Sequence, residues 1–398
     1  MLHGSIPDAP GFDPDELPGF LVRIGDLVSS TVAVQPWRDL LVCHDWFEDR
    51  PEADHVVPVS EISELVAHLA VRRPVERALD IGTGSGVQAV LAGAHAREVV
   101  ATDLNPRALQ LAQWTLALNG TENVLLREGD WFEPVGDERF DLVVADLPFI
   151  VSPDHALLFR DAPPGTARAV VEGAADRLRE WGFAHVLCQW PLTAGEAWDA
   201  QPRAWVENRG CDAWLLRVSA DQDPVEYAAH WNSYIADADL AEFERALDRW
   251  LEHFSDAGIE RIAFGVVSIR RRNGPNWTRS DDLDVWPTAP AGDHVARIFD
   301  GQTLVSTLSD DALLDLVVVP VPGLRLDETR SFDGGGFELV AAQPRLQDGV
   351  ALRPRLSRAA LEAIGRLDGT RRLRDLDAER ALPHLRDLIA LGFLQPIA

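Results

Sequence analysis

Ala78-Leu79-Asp80-Ile81-Gly82-Thr83-Gly84-Ser85-Gly86 is an apolar run that breaks into a glycine-rich turn. The apolar residues that follow have helical spacing, so the segment reads as strand, turn and helix. Glycines at 82, 84 and 86 let the backbone take positive φ and leave no Cβ between it and a ligand. A dinucleotide fingerprint would put its third glycine at 87, where this chain has Val87. A P-loop is excluded too, because no Gly-Lys-Ser/Thr follows. The turn instead suits a cofactor with an amino-acid head and no phosphate. Asp80, at the strand end, is placed to organise an ammonium group.

Working outward, short apolar runs at Ala78–Ile81, Glu98–Thr102, Val124–Arg127, Leu142–Ala145 and Ala184–Gln189 alternate with helix-like stretches. Those stretches are Gly86–His95, Pro106–Leu118 and Thr166–Trp181. Strands too apolar to keep one face wet, separated by helices, predict an α/β fold with a parallel sheet covered on both sides. Two more strands are expected at Ala213–Val218 and Arg261–Ile269, separated by an inserted helix at Ala241–Phe254. Ser60 is expected to cap a helix running to Leu69. The boundaries expected are 1–59 for an N-terminal extension with a few strands, 60–272 for the α/β domain and 273–398 for an accessory domain. The last of these ends in helices at Ser357–Leu367 and Ala378–Leu391, a pattern that resembles small winged-helix-like caps.

Two acidic positions extend the glycine turn. Asp103, followed by Leu104, Asn105 and Pro106, ends the second strand about 20 residues downstream, where a carboxylate can accept both ribose hydroxyls. Asp130-Trp131-Phe132 follows the third strand; Asp130 can accept from an exocyclic amine and Trp131 can cover a ring face. Together these residues resemble the class I S-adenosylmethionine-dependent methyltransferases, over roughly residues 60–272. The resemblance implies a Rossmann-like, seven-stranded, mostly parallel sheet with one antiparallel strand. It also implies S-adenosyl-L-methionine lying across the strand ends. By matched position Asp80, Gly82, Thr83, Gly84 and Gly86 line the methionine and ribose, Asp103 and Leu104 the ribose side, and Asp130 and Trp131 the adenine.

Asp146-Leu147-Pro148-Phe149 addresses the methyl acceptor. It stands where one branch of that family, the branch of release-factor glutamine and rRNA guanine N-methyltransferases, carries [N/D]-P-P-[Y/F]. In such a motif a side-chain oxygen at Asp146 and the next carbonyl accept both N–H groups of a planar amine. Pro148 stiffens the loop and Phe149 stacks on the planar group. Leu147 departs from the motif by replacing its first proline, which opens the competing reading of an oxygen nucleophile with Asp146 as general base. More widely, the chain from about Val34 resembles a group of actinobacterial methyltransferases that contain the "methyltransferase small" domain, as a shortened and divergent member.

Composition narrows the function classes. All 37 basic residues are Arg, and 64 acids bring the net charge to −27. Such a field repels polyanions, so tight non-specific nucleic-acid binding is not expected. The one basic run, Arg270–Arg272, reads as a solvated strand end. No apolar stretch is long enough for a membrane span, and the N-terminus lacks a secretory pattern. Three scattered cysteines and no HxxxH or HExxH arrangement give no metal or disulfide framework, and a reducing cytoplasm fits. Among the tryptophans, Trp114, Trp181, Trp205, Trp214 and Trp250 are expected in the core, while Trp131 and Trp190 are candidates for a pocket wall. The leading expectation is an enzyme methylating a planar nitrogen of a protein glutamine or nucleobase. The alternatives are a small-molecule O- or N-methyltransferase of specialised metabolism and a non-catalytic scaffold on the same fold.

Overall fold

The computed structural model describes residues 19–24, 27–46, 51–146, 149–236, 239–332, 334–376 and 378–397. Two hairpins come first: β1 (Leu21–Ile24) with β2 (Leu27–Ser30), and β3 (Ala33–Trp37) with β4 (Leu40–His44). Helix α1 (Glu61–Leu69) follows, its first turn closed by the Ser63 amide donating to the Ser60 hydroxyl. Then come β5 (Val75–Ile81), α2 (Val87–Gly93), β6 (Ala96–Asp103), α3 (Pro106–Leu118), β7 (Val124–Glu128) and β8 (Phe140–Asp146). After these lie α4 (Thr166–Arg177), β9 (Leu178–Leu192), α5 (Ala200–Val206) and β10 (Cys211–Arg217). An α6 (Pro224–Ala236) and α7 (Leu240–Asp256) pair precedes β11 (Arg261–Arg271) and β12 (Thr278–Asp282).

These strands build one sheet in the order β12-β10-β11-β9-β8-β5-β6-β7. Strands β5 to β9 run parallel to one another, while β11 is antiparallel to both β9 and β10. The expected single antiparallel strand is therefore present, but the sheet has eight strands rather than seven. The additional strand is β12, parallel to β10, so the sheet continues past Arg272. Its sequence, Thr-Arg-Ser-Asp-Asp, is polar because it covers an edge, and apolar patterning does not reveal it. From β5 the chain winds one way to β6 and β7 and the other way to β8 and β9. In open α/β sheets ligands bind at such a switch point, which here lies at the carboxyl ends of β5 and β8.

Three other expectations are corrected. Helix α4 stops at Arg177, and Leu178 to Trp181 already belong to β9. At Gly182 a Cβ would come 3.0 Å from the carbonyl oxygens of Arg179 and Phe140, so the chain lies flat on its neighbour. Trp181, with φ +68°, is turned outward and is 58% exposed rather than in the core. Trp114, Trp205, Trp214 and Trp250 are buried as expected. Nor is Arg270–Arg272 a solvated run: Arg270 and Arg272 are buried against the buried Asp212 at 3.1 and 2.8 Å.

The C-terminal part begins with α8 (Gly292–Thr307) and α9 (Asp310–Leu314), then β13 (Val318–Pro320) and a hairpin of β14 (Leu324–Phe332) with β15 (Phe337–Leu346). Helices α10 (Arg358–Ile364) and α11 (Leu382–Ala390) precede β16 (Leu394–Pro396), which pairs with β13. One apolar core runs through α1, one face of the sheet, α8 and α11 without interruption.

Candidate active site

The glycine turn leaves the end of β5 with φ +66° at Gly82, +52° at Gly84 and +83° at Gly86, values that favour glycine at each position. Their surroundings differ. A Cβ at Gly86 would lie 3.0 Å from Ala112 of α3, so this glycine lets α2 and α3 pack closely. Around Gly84 the nearest atom is the Gly82 carbonyl oxygen at 3.9 Å, and the backbone borders open space. The turn is pinned by the Thr83 amide donating to the Thr102 carbonyl, 3.0 Å, and by the Gly84 amide donating to Asp103 Oδ2, 2.8 Å. The second contact joins the two sequence signals into one unit.

Asp80 is buried beneath the turn. Its Oδ2 accepts from the Thr83 hydroxyl at 2.7 Å, while its Oδ1 is sealed from solvent and has no partner among the described residues. Burial raises its carboxyl to about 7, with the negative charges of Asp146 and Asp103 adding to the effect and the Thr83 hydroxyl opposing it. Asp103, ending β6, accepts from Gly84 and, through Oδ1, from the Asn105 amide at 2.9 Å, and burial still holds it above the ordinary carboxylate range. Asn105 then caps α3, with Pro106 in its first turn.

Asp146 ends β8 and is the third member of the group; burial raises it to about 6, opposed by a hydrogen bond with the Ser63 side chain of α1. None of the three carboxylates has a cationic partner among the described residues. A buried unpartnered oxygen and three uncompensated carboxylates form a field that a cation would relieve. A sulfonium with an α-ammonium fits that donor set, as does the open space above Gly84.

Further along the edge, Leu104 is 54% exposed, an apolar side chain presented beside Asp103. Asp130 is exposed, and burial followed by the charge of Glu133 raises its carboxyl. Trp131 is half-buried with φ +40°, unusual for a bulky residue, and its carbonyl accepts from the Thr102 hydroxyl at 3.2 Å. Asp80, Gly82, Thr83, Gly84, Gly86, Asp103, Leu104, Asp130 and Trp131 thus all stand at or just beyond the carboxyl ends of β5, β6 and β7. Phe149 stacks on Phe264 of β11, ring centres 5.9 Å apart. Pro148, with Leu147, lies outside the described residues. Trp190 does not wall a pocket: it is buried, packs on Trp198 and Trp205, and donates its indole N–H to the Trp198 carbonyl at 2.8 Å.

Sequence reasoning missed the apparatus behind Phe149. Tyr227 of α6 accepts from the Val151 amide at 2.9 Å and donates to Gln189 Oε1 at 2.5 Å. Asp154 accepts from Arg249 at 2.9 Å and from the Trp250 indole at 2.8 Å, and buried Arg160 pairs with Asp161 at 2.6 Å. Helices α6 and α7 thereby hold the segment after β8. The available signal was the inserted helix itself, expected at Ala241–Phe254.

Residues 60–197 match the family model of the methyltransferase small domain. This segment resembles the methyltransferase small domain. The chain is 39% identical over 121 residues to a release factor glutamine methyltransferase of Geobacter sulfurreducens, covering 29% of this chain and 42% of that protein. With one from Xylella fastidiosa it shares 32% over 190 residues, 44% of this chain and 63% of that protein. A ribosomal protein uL3 glutamine methyltransferase of Bradyrhizobium diazoefficiens is 37% identical over 117 residues, 26% of this chain and 37% of the other. The chain thus spans about half the length of the curated relatives it matches. Among solved structures, Trm5b from Pyrococcus abyssi aligns with a TM-score of 0.37 at 15% identity, over 63% of this chain and 62% of that one. The methyltransferase small domain accounts for β5 to β9; the hairpins before it and everything after residue 197 lie outside the match.

Proposed function

We propose that the protein is an S-adenosyl-L-methionine-dependent methyltransferase acting on a planar nitrogen, with the carboxamide of a protein glutamine as its acceptor. The single observation that carries this reading is the sealed Asp80 oxygen beneath the open glycine turn, in a group of carboxylates with no cationic partner among the described residues. Two observations favour a carboxamide over a nucleobase: the relatives are named as glutamine methyltransferases, and a charge of −27 repels polyanions.

In this reading Asp80 holds the ammonium group, the Gly82–Gly84 backbone passes beside the methionine, and Asp103 accepts from the ribose. Leu104 lies beside Asp103 on the ribose side, Trp131 flanks the adenine, and Asp130 accepts from its amine. When bound, the cofactor supplies a methyl group on a positively charged sulfur. Asp146 accepts an N–H of the acceptor amide, which turns the nitrogen lone pair toward the methyl carbon, and Phe149 stacks on the amide plane. Methyl transfer to that nitrogen would form a C–N bond at the expense of the donor's C–S bond, with Asp146 and Phe149 holding the amide in place. The nitrogen loses its proton to Asp146 or to solvent. Positioning supplies most of the rate, with reacting atoms about 3–3.5 Å apart.

The test is incubation with cofactor labelled in its methyl group and a size-fractionated cell extract. Label is expected in the protein fraction and is released as methylamine by strong acid, because N-methylglutamine hydrolyses to glutamate and methylamine. Label in RNA, or release as methanol by mild base, would contradict the carboxamide reading.

A further inference from the structure

Gln189 lies on β9, two positions beyond Leu187, which pairs with Asp146. Alternation of side chains puts Gln189 on the same face of the sheet as Asp146. Its partner on β11 is Phe264, the ring on which Phe149 stacks. Gln189 is only 6% exposed and Tyr227 1%, so this polar pair is built into the end of the sheet. The hydrogen bonds fix the amide's orientation. Tyr227 Oη already accepts from the Val151 amide, so its own proton goes to Gln189 Oε1. The Gln189 N–H2 group then has no protein partner among the described residues, and, unlike the sealed Asp80 oxygen, it is reached by solvent. A donor on a largely buried side chain that solvent still reaches can exchange its water for an acceptor atom of a ligand.

We propose that Gln189, aimed by Tyr227, is the residue that orients the methyl acceptor, donating its N–H2 to the carbonyl oxygen beside the nitrogen held by Asp146. The inference rests on the planar-nitrogen reading and adds a requirement to it: the acceptor must carry a hydrogen-bond-accepting atom next to its amine. Asp146 and Gln189 then read the two sides of one carboxamide, the first accepting from its N–H2 and the second donating to its C=O. Phe149 and Phe264 supply the apolar surface beneath. Tyr227 is a positioning residue, because it acts on the acceptor only through Gln189.

Benzamide and aniline separate these roles, since both offer a planar amine and only benzamide has the adjacent oxygen. Their binding to the full-length protein saturated with S-adenosylhomocysteine can be followed by saturation-transfer NMR. The wild type is expected to prefer benzamide by roughly tenfold, the value of one well-placed hydrogen bond. Gln189→Leu should erase that preference while leaving aniline and S-adenosylhomocysteine binding unchanged, and Tyr227→Phe should reduce it. A purely structural role for Gln189 would weaken both probes together, and the preference ratio would not move. If the protein binds S-adenosylhomocysteine but shows no preference, or keeps it in Gln189→Leu, the inference is overturned and the cofactor reading stands. If S-adenosylhomocysteine itself does not bind, the underlying reading fails and takes this inference with it.

Discussion

The carboxylates of the site are held in an unfavourable state in the absence of a cation, and this has consequences for pH. The Asp80 carboxyl is raised by burial from its ordinary value to about 7, so its ionised form is destabilised in the fold. Its contribution to stability is intact below about pH 4 and is lost as pH rises through about 7. Asp80→Asn should therefore raise the melting temperature of the cofactor-free protein at pH 8 relative to wild type, and do so much less at pH 5. Ser63 provides a second handle, because its hydrogen bond lowers an Asp146 carboxyl that burial raises to about 6. Methyl transfer should rise with pH through about 6 as Asp146 becomes able to accept from the acceptor amine. In Ser63→Ala the same rise should move to higher pH, measurable in a pH profile of single-turnover rates.

At the scale of elements, the segment after β8 is held by the α6–α7 pair as well as by the sheet, where Phe149 meets Phe264. Asp154 gathers Arg249, the Trp250 indole and Arg160 on its two oxygens. Asp154→Ala leaves these donors unpaired and should cost about 1–3 kcal/mol of stability in denaturant unfolding. It should also raise the acceptor KM several-fold, with cofactor affinity unchanged. The sequence was legible where local pattern and fold agree. Alternating apolar runs marked β5 to β9, and Pro106–Leu118 coincides with α3 as found. The glycine turn and Asp103 were readable because short-range geometry brings them together. Gln189 and Tyr227, 38 residues apart, meet only because β9 and α6 are folded against each other, so no spacing rule reveals them. Trp190 misled for a related reason: its position after a run of strand residues suggested an exposed edge, but β9 extends to Leu192 and keeps it buried.

Across the whole molecule, the C-terminal part is fastened to the sheet by both core and charge. Arg270 reaches Asp300 at 2.6 Å and Thr303 at 2.7 Å on α8, while Arg270 and Arg272 share Asp212 of β10. Gly301 approaches α11 so closely that a Cβ would lie 1.8 Å from the Ile389 carbonyl oxygen. Asp212→Asn would remove the anion between two buried guanidinium groups and should destabilise the protein by about 3–5 kcal/mol, seen as a lower midpoint in urea. Binding of a cationic methyl donor at the carboxyl ends of β5 and β8 is tested most directly by calorimetric titration with S-adenosylmethionine. One molecule should bind per chain, more tightly at pH 8 than at pH 6, with affinity falling at least tenfold in Asp103→Ala and abolished in Gly84→Val. Absence of binding by the wild type, or equal affinity in all three proteins, would contradict it.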